Sequence, residues 1–239
     1  MSAKTVNEEA TQTVSPRHWI RLVVVYLLIP LVLLICGGDI GWWQGWLYAV
    51  LIFAAGVGGH RWAERRHPGL MAERQSLENA KNAKTWDKVL APLMAASLVF
   101  PMVIVAGLDH RYGWSPRVPL WLNLVGFVLI AVGYAFGSWA MAENRFFSTL
   151  VRIQMDQGHV VCDSGPYRFM RHPGYAGNIP PLFGIVLALG SAWALIPAVA
   201  ATILTVVRTA LEDQTLQKEL PGYRDYARRI CYRLIPGIY

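Results

Sequence analysis

The chain has 239 residues, of which 54% are hydrophobic and only 15% charged, with a mean hydropathy of +0.34. A soluble domain usually carries about 25% charge, so an ordinary water-soluble globule is excluded. The formal net charge is +7; in so apolar a chain this excess suits the cytoplasmic loops of a membrane protein, and no nucleic-acid partner is expected.

Residues 1–18 form a polar N-terminal segment. The apolar run behind it passes directly into a second one, so no cleavable signal peptide is expected. A bilayer core needs about 20 mostly apolar residues per helix. The first predicted span is Trp19 to Cys36, closed by Gly37-Gly38. The second runs from Trp43 to Gly59 and leads into a basic loop, 60–88. The third is Val89 to Leu108 and the fourth Leu120 to Ala142. Pro30, Pro92 and Pro101 are compatible with membrane helices. Trp42, Trp43, Trp46, Trp114, Trp121 and Trp139 stand near span ends, as interfacial aromatics do.

The last apolar run, Asn178 to Val207, would measure about 45 Å as one helix, too long for one ordinary span. Gly190-Ser191 interrupts it, so the sequence predicts a helical hairpin with arms Tyr175 to Leu189 and Ala192 to about Arg208 or beyond. Charge supports this. Of the 22 Lys and Arg, all but Arg111 and Arg117 fall at the N-terminus (Lys4, Arg17 and, at the start of the first span, Arg21), in the loop from Arg61 to Lys88, in the segment 143–177, or in the tail from Arg208 onward. The positive-inside rule then demands an even number of crossings. The expected fold is all-α: a polytopic transmembrane bundle of about six crossings, both termini cytoplasmic. Cys36, Cys162 and Cys231 are too few and too widely spaced for a disulfide framework or a zinc site; they read as free thiols, and no metal is expected.

The candidate chemistry lies in the C-terminal third. Gly165-Pro166-Tyr167-Arg168 is followed by Arg171-His172-Pro173-Gly174-Tyr175-Ala176-Gly177, immediately before a membrane helix. Pro173 suits a first helical turn, whose free N–H groups can hold an anion. Gly174 and Gly177 allow close approach of a ligand or a helix. His172 either caps the helix or touches a cofactor at the mouth of the bundle; the aromatics and arginines around it favour the cofactor. Arg-His-Pro-Gly also occurs at Arg66–Gly69, before a polar loop helix, and is read there as structural. Further on, helical spacing puts Arg208, Glu212, Thr215 and Glu219 on one face. This is either an Arg208–Glu212 pair on an interfacial helix, worth about 0.2–0.5 kcal/mol, or a site for the charged ends of an amino-acid-like ligand. Tyr223 and Tyr226 can wall an adenine or lie on lipid with the basic tail. Glu143 and Arg145 can serve substrate or pair with each other.

Taken together, these motifs resemble the isoprenylcysteine carboxyl methyltransferases and the related phospholipid methyltransferases, over about Phe127 to Pro236. The resemblance implies an S-adenosylmethionine-dependent membrane methyltransferase whose core is residues 143–239, behind four helices in residues 19–142. It implies that His172, Tyr175, Gly177, Tyr167 and Pro173 contact the cofactor, that Glu212 meets its methionine moiety, and that Tyr223 and Tyr226 close the adenosine pocket. Arg208, with Arg171 less directly, would orient a substrate carboxylate, and Glu143 or His172 is a candidate base for a thiol or amine acceptor. Such families commonly carry Glu-Glu where this chain has Glu212-Asp213, which leaves the role of Asp213 open. The resemblance further implies a bacterial inner membrane and a lipophilic or small acceptor. Membrane sterol and steroid reductases, which bind NADPH, have a similar helix start; Pro173 and Arg208-x-x-x-Glu212 favour methyl transfer. The non-enzymatic alternative is a membrane scaffold with a lipid-binding tail.

Overall fold

The computed structural model describes residues 16–76 and 83–239. Residues 1–15, with Lys4, and residues 77–82, with Lys81, lie outside the described residues. Every regular element among the described residues is helical. They are α1 (Pro16–Gly37), α2 (Trp43–Arg66), α3 (Leu70–Ser76), α4 (Asp87–Leu98), α5 (Phe100–Tyr112), α6 (Leu120–Glu143), α7 (Pro173–Leu189), α8 (Leu195–Glu219) and α9 (Tyr223–Arg229). Single 3₁₀ turns occur at Met155–Gln157 and Gly165–Arg168.

The predicted spans map onto these helices with differences at the second, third and last. The third span is two helices, α4 and α5, broken at Val99. Pro101 stands in the first turn of α5 and has no N–H to continue the α4 ladder. The second span continues past Gly59 to Arg66 as α2, and its last turns carry Arg61, Glu64, Arg65 and Arg66. The Gly190-Ser191 interruption holds: Gly190 takes a left-handed conformation at φ 70° and ends α7, and the second arm starts at Leu195 rather than Ala192 and runs on past Arg208 to Glu219 as α8. Four described segments are long and apolar enough to cross a membrane: Trp19–Gly37, Asp87–Tyr112, Leu120–Glu143 and Leu195–Glu219. At 17 residues, α7 measures about 25 Å, less than a bilayer core of about 30 Å.

Inside the bundle, Ile29, Leu33, Tyr48, Ile52, Met102, Val103, Ile130 and Ile185 form one buried apolar cluster. Outside, Val24, Leu27 and Leu31 of α1, Leu124, Val128 and Val132 of α6 and Ile196 and Ile203 of α8 are exposed. Apolar residues on both sides of a helix mark a membrane environment. The tightest packing is between α6 and α7. A Cβ on Gly126 would stand 2.3 Å from the Ala188 nitrogen, and one on Gly177 would stand 2.6 Å from the Gly137 nitrogen. Backbone meets backbone there, as small residues permit in membrane helix pairs.

The helices run between two ends. At one end, short connections converge: Asp109 of α5 accepts from the Ser115 amide (2.7 Å), the Ser115 hydroxyl (2.5 Å) and the Ser191 hydroxyl (2.5 Å). There Trp42 also stacks on His110 at 4.0 Å. The other end, the basic end, carries most of the cations. The first Arg-His-Pro-Gly copy turns the chain there: Gly69 has φ 90°, and the Gly69 and Met71 amides donate to the Glu64 carboxylate at 2.7 and 2.9 Å. The three cysteines are free, Cys36 lying in α1.

Candidate active site

At the start of α7, His172 is the N-cap residue and Pro173 opens the first turn. The His172 carbonyl accepts from the Tyr175 and Ala176 amides, each at 3.1 Å. The tail runs beside this turn: the Arg171 amide donates to the Tyr232 carbonyl and the His172 amide to the Arg233 carbonyl, each at 2.9 Å. Because the α7–α8 hairpin folds back on itself, the C-terminal turns of α8 arrive at the same place.

Asp213 of α8 is the centre of this junction and is fully buried. Arg171 grips it with a bidentate fork, Nε to Oδ1 at 2.8 Å and Nη2 to Oδ2 at 3.0 Å. Gln217 (2.7 Å), Arg233 (3.0 Å) and Tyr223 (3.1 Å) donate to it as well. His172 Nε2 lies 3.2 Å from Oδ1; since a carboxylate only accepts, Nε2 is the donor in this contact. Arg171 also donates Nη1 to the Ile230 and Cys231 carbonyls at 2.8 and 3.0 Å. Burial and the Asp213 charge push the Tyr223 phenol well above its usual range, so it stays a neutral donor.

Glu212, one residue earlier, is differently placed. Its Oε2 accepts from the Tyr175 hydroxyl at 2.6 Å, and Oε1 lies 4.0 Å from His172 Nδ1. Its side chain remains 24% exposed, and it lines a cavity of about 280 Å³. The cavity is also walled by Tyr167, His172, Tyr175, Tyr223 and Tyr226, by Phe147 and His159 of the loop after α6, and by Ala91, Met94 and Ala95 of α4. Tyr226 is anchored by donating to the Tyr167 carbonyl at 2.7 Å. Burial, with Arg152 nearby, holds His159 down at about 4, so its ring is uncharged.

The residues singled out from sequence divide. His172, Tyr175, Glu212, Tyr167, Tyr223, Tyr226, Arg171 and Arg208 all line the cavity. Glu143, Pro173 and Gly177 are absent from its lining. Glu143 accepts from the Ser164 hydroxyl at 2.6 Å rather than pairing with Arg145, whose guanidinium lies 5.3 Å over the Phe146 ring. Gly177 faces Gly137 in the α6–α7 contact, and Pro173 shapes the helix start. Arg208 does not pair with Glu212. Its fork closes on Asp87 of α4, Nε to Oδ1 and Nη2 to Oδ2 both at 2.8 Å, with a further bond to the Thr149 carbonyl at 2.7 Å. Both candidate substrate arginines are therefore already committed to buried carboxylates. Sequence reasoning missed Asp87, 121 residues from Arg208, because no local spacing signals so distant a partner. Arg74 of α3, which also lines the cavity, was hidden in a segment that reads as polar loop.

Comparison with known proteins adds to this geometry. Residues 121–221 match the family model described as phospholipid methyltransferase. Two rice proteins, from Oryza sativa subsp. indica and subsp. japonica, each named "Probable protein-S-isoprenylcysteine O-methyltransferase", are 35% identical to this chain over 57 residues. That stretch is 23% of this chain, and this chain spans 30% of the length of those relatives. The matched residues include α7, α8 and the Gly165–Gly177 motif; they stop short of α9 and exclude α3 and α4. Over the stretch that supplies most of the cavity's walls, the chain is similar to the phospholipid methyltransferases.

Proposed function

We propose that this protein is a membrane methyltransferase that uses S-adenosylmethionine to methylate a lipophilic or small acceptor. The observation that carries the reading is the cavity at the basic end, built largely from family-like residues and lined by Glu212 with Tyr167, Tyr175, Tyr223 and Tyr226. Its volume is near the lower bound of ligand pockets, about 300 Å³. In this reading the α7–α8 hairpin crosses the membrane twice, the crossings number six, and both termini are cytoplasmic. The charge asymmetry between the two ends supports that orientation.

The residues present fit the cofactor. Glu212 offers a partly free carboxylate for an ammonium or sulfonium, and tyrosine faces suit an adenine ring and a cation alike. When bound, S-adenosylmethionine supplies a methyl group already activated toward displacement, so a carboxylate acceptor needs no strong base. The protein's part is then positioning and exclusion of water. Tyr175 fixes one Glu212 oxygen and leaves the other toward His172. Asp213 holds the His172 ring through Nε2 and so turns its Nδ1 edge toward Glu212. Arg208 acts as a positioning residue that holds α8 to α4 and so keeps the cavity's two sides in register. Glu143 and Gly177 support the walls from behind.

The test is binding to the full chain in detergent. S-adenosylmethionine should bind, and Glu212→Ala and His172→Ala should each weaken it by about tenfold or more, the loss expected for a buried charged contact. Binding of NADPH without S-adenosylmethionine would overturn the reading in favour of a reductase, and binding of neither would leave a scaffold. Transfer of radiolabelled methyl to a membrane lipid extract then identifies the acceptor.

A further inference from the structure

A second hollow, a groove of about 470 Å³, lies against the cavity and shares His159, Val160, Val161 and Tyr226 with it. One irregular stretch of chain and one tyrosine ring therefore stand between the two. Cys162 lines the cavity and not the groove, whereas Asp163 lines the groove and not the cavity, so the stretch has one face on each. The groove meets water at the basic end: Arg229 and Asp163, both in its lining, pair at 3.0 Å with side chains more than half exposed.

This partition is weakly held. Among the described residues, the backbone amides and carbonyls of Val160, Val161, Cys162 and Asp163 take no hydrogen-bond partner. The chain is pinned on either side of them. Before the stretch, the His159 amide donates to the Gln154 carbonyl at 3.1 Å and the Gln154 amide to His159 Nδ1 at 3.2 Å. After it, the Tyr167 amide donates to the Ser164 carbonyl at 3.0 Å. Each pinned end carries a glycine in the left-handed region, Gly158 at φ 68° and Gly165 at φ 53°. Between them, Val161 leans on the cluster of Leu220, Tyr223 and Tyr226, and Asp163 has its exposed partner Arg229, a kind of ion pair worth little in water. Cys162 Sγ comes no nearer than 3.9 Å to the Glu143 carbonyl and the Ser164 hydroxyl. The cavity's other junctions, Arg171 on Asp213 and Arg208 on Asp87, close on fully buried carboxylates. Segments with few hydrogen bonds open at low cost, and lids are drawn from them.

We propose that Val160–Asp163 is a gate, hinged at Gly158 and Gly165 and latched by Asp163 on Arg229, that opens to join groove and cavity and lets a water-soluble ligand pass. The exposed ion pair at the groove's mouth selects the class: what enters there comes from water and not from lipid. The proposal rests on the methyl-transfer reading only in naming S-adenosylmethionine as that ligand.

The experiment uses the full chain in detergent. In a background of Cys36→Ser, Cys162→Ser and Cys231→Ser, Asp163→Cys and Arg229→Cys are joined by a short cleavable bis-maleimide, which ties the gate to α9. Linking should slow S-adenosylmethionine association by about tenfold or more, and should slow its dissociation equally when the ligand is bound first. Cleaving the linker should restore both rates, which also shows that the variant is folded. Exchange at the unlinked rate overturns the proposal. A second measurement needs no cofactor. Burial pushes the Cys162 thiol up, and it is labelled in the otherwise unmodified chain with a bulky, neutral polyethylene glycol maleimide, exposed Cys231 serving as the reference. Arg229→Gln releases the latch and should speed Cys162 labelling about threefold, the worth of a surface ion pair. Labelling that Arg229→Gln leaves unchanged overturns the proposal as well. If the unlinked protein binds no S-adenosylmethionine, the methyl-transfer reading falls and Cys162 labelling decides the gate by itself.

Discussion

The two ends of the bundle handle buried charge in opposite ways. At the far end Asp109 is wrapped by Ser115 and Ser191, which belong to the two short connections it ties together. At the basic end the charges are many and unequal. The contrast is sharpest between neighbours on α8: five side chains donate to Asp213 or lie within hydrogen-bond distance of it, whereas Glu212 has the Tyr175 hydroxyl and an open side facing the cavity. A saturated carboxylate is a fastener. A carboxylate held by one bond and facing a cavity retains the capacity to bind something else.

The largest effect should come from breaking the fastener. Asp213→Ala strands Arg171 and frees Arg233, Tyr223 and the tail. Removing one partner of a buried ion pair costs about 3–5 kcal/mol, so thermal unfolding in detergent should shift far down. Glu212→Gln should cost less than about 1 kcal/mol, since Tyr175 can still donate to the amide oxygen, while S-adenosylmethionine affinity falls. Equal destabilisation by the two substitutions would erase the distinction drawn between them.

That distinction was only half visible in the sequence. The hydropathy runs delimited α1 and α6 to within a few residues, because spans of that length have few alternatives in lipid. Gly190-Ser191 announced the hairpin, and the hairpin brings residue 172 to residue 213. What local spacing could not supply was the choice of partners. The i,i+4 relation offered Glu212 to Arg208, yet Asp87 took it. Asp213 looked like a shortened glutamate and is instead the junction's centre. Partner choice among charges depends on which helices meet, and that is decided by packing remote in sequence. Gly177 shows the same limit from another side: the sequence left open whether a ligand or a helix comes close to it, and its neighbour is Gly137 of α6.

Gly177→Ala should give the next largest effect. Its methyl would meet backbone at 2.6 Å, which side-chain movement cannot relieve. Overpacking of this kind costs about 1–3 kcal/mol. Gly58→Ala in α2 makes the control, because a Cβ there meets nothing within 4 Å; helix propensity alone should favour it by about 0.8–1 kcal/mol. If both substitutions destabilise alike, close approach of α6 and α7 is not what requires glycine.

His159 offers a pH-dependent comparison. Its folded value is held down at about 4, against about 6.5 in the unfolded chain. The unfolded state therefore takes up a proton that the folded state refuses. The stability this group contributes is complete above pH 6.5 and drains away as pH falls toward 4. Melting temperatures of the parent should decline over that window more steeply than those of His159→Gln. Parallel curves would mean the ring is not shielded.

The smallest effect on the site belongs to the far end. Ser191→Ala removes one hydroxyl from Asp109 and the acceptor for the Ala194 amide at 3.2 Å. Ser115 still donates twice to Asp109, so the loss should be about 1 kcal/mol. The substitution lies at the hairpin tip, with the length of α7 between it and the cavity. Because the α6–α7 contact is rigid backbone packing, loosening the tip should not reach His172 or Glu212. S-adenosylmethionine affinity should match the parent's within error. A fall in affinity would show that the tip sets the register of α7 against α8, making the two ends one coupled device rather than a clamp and a separate site.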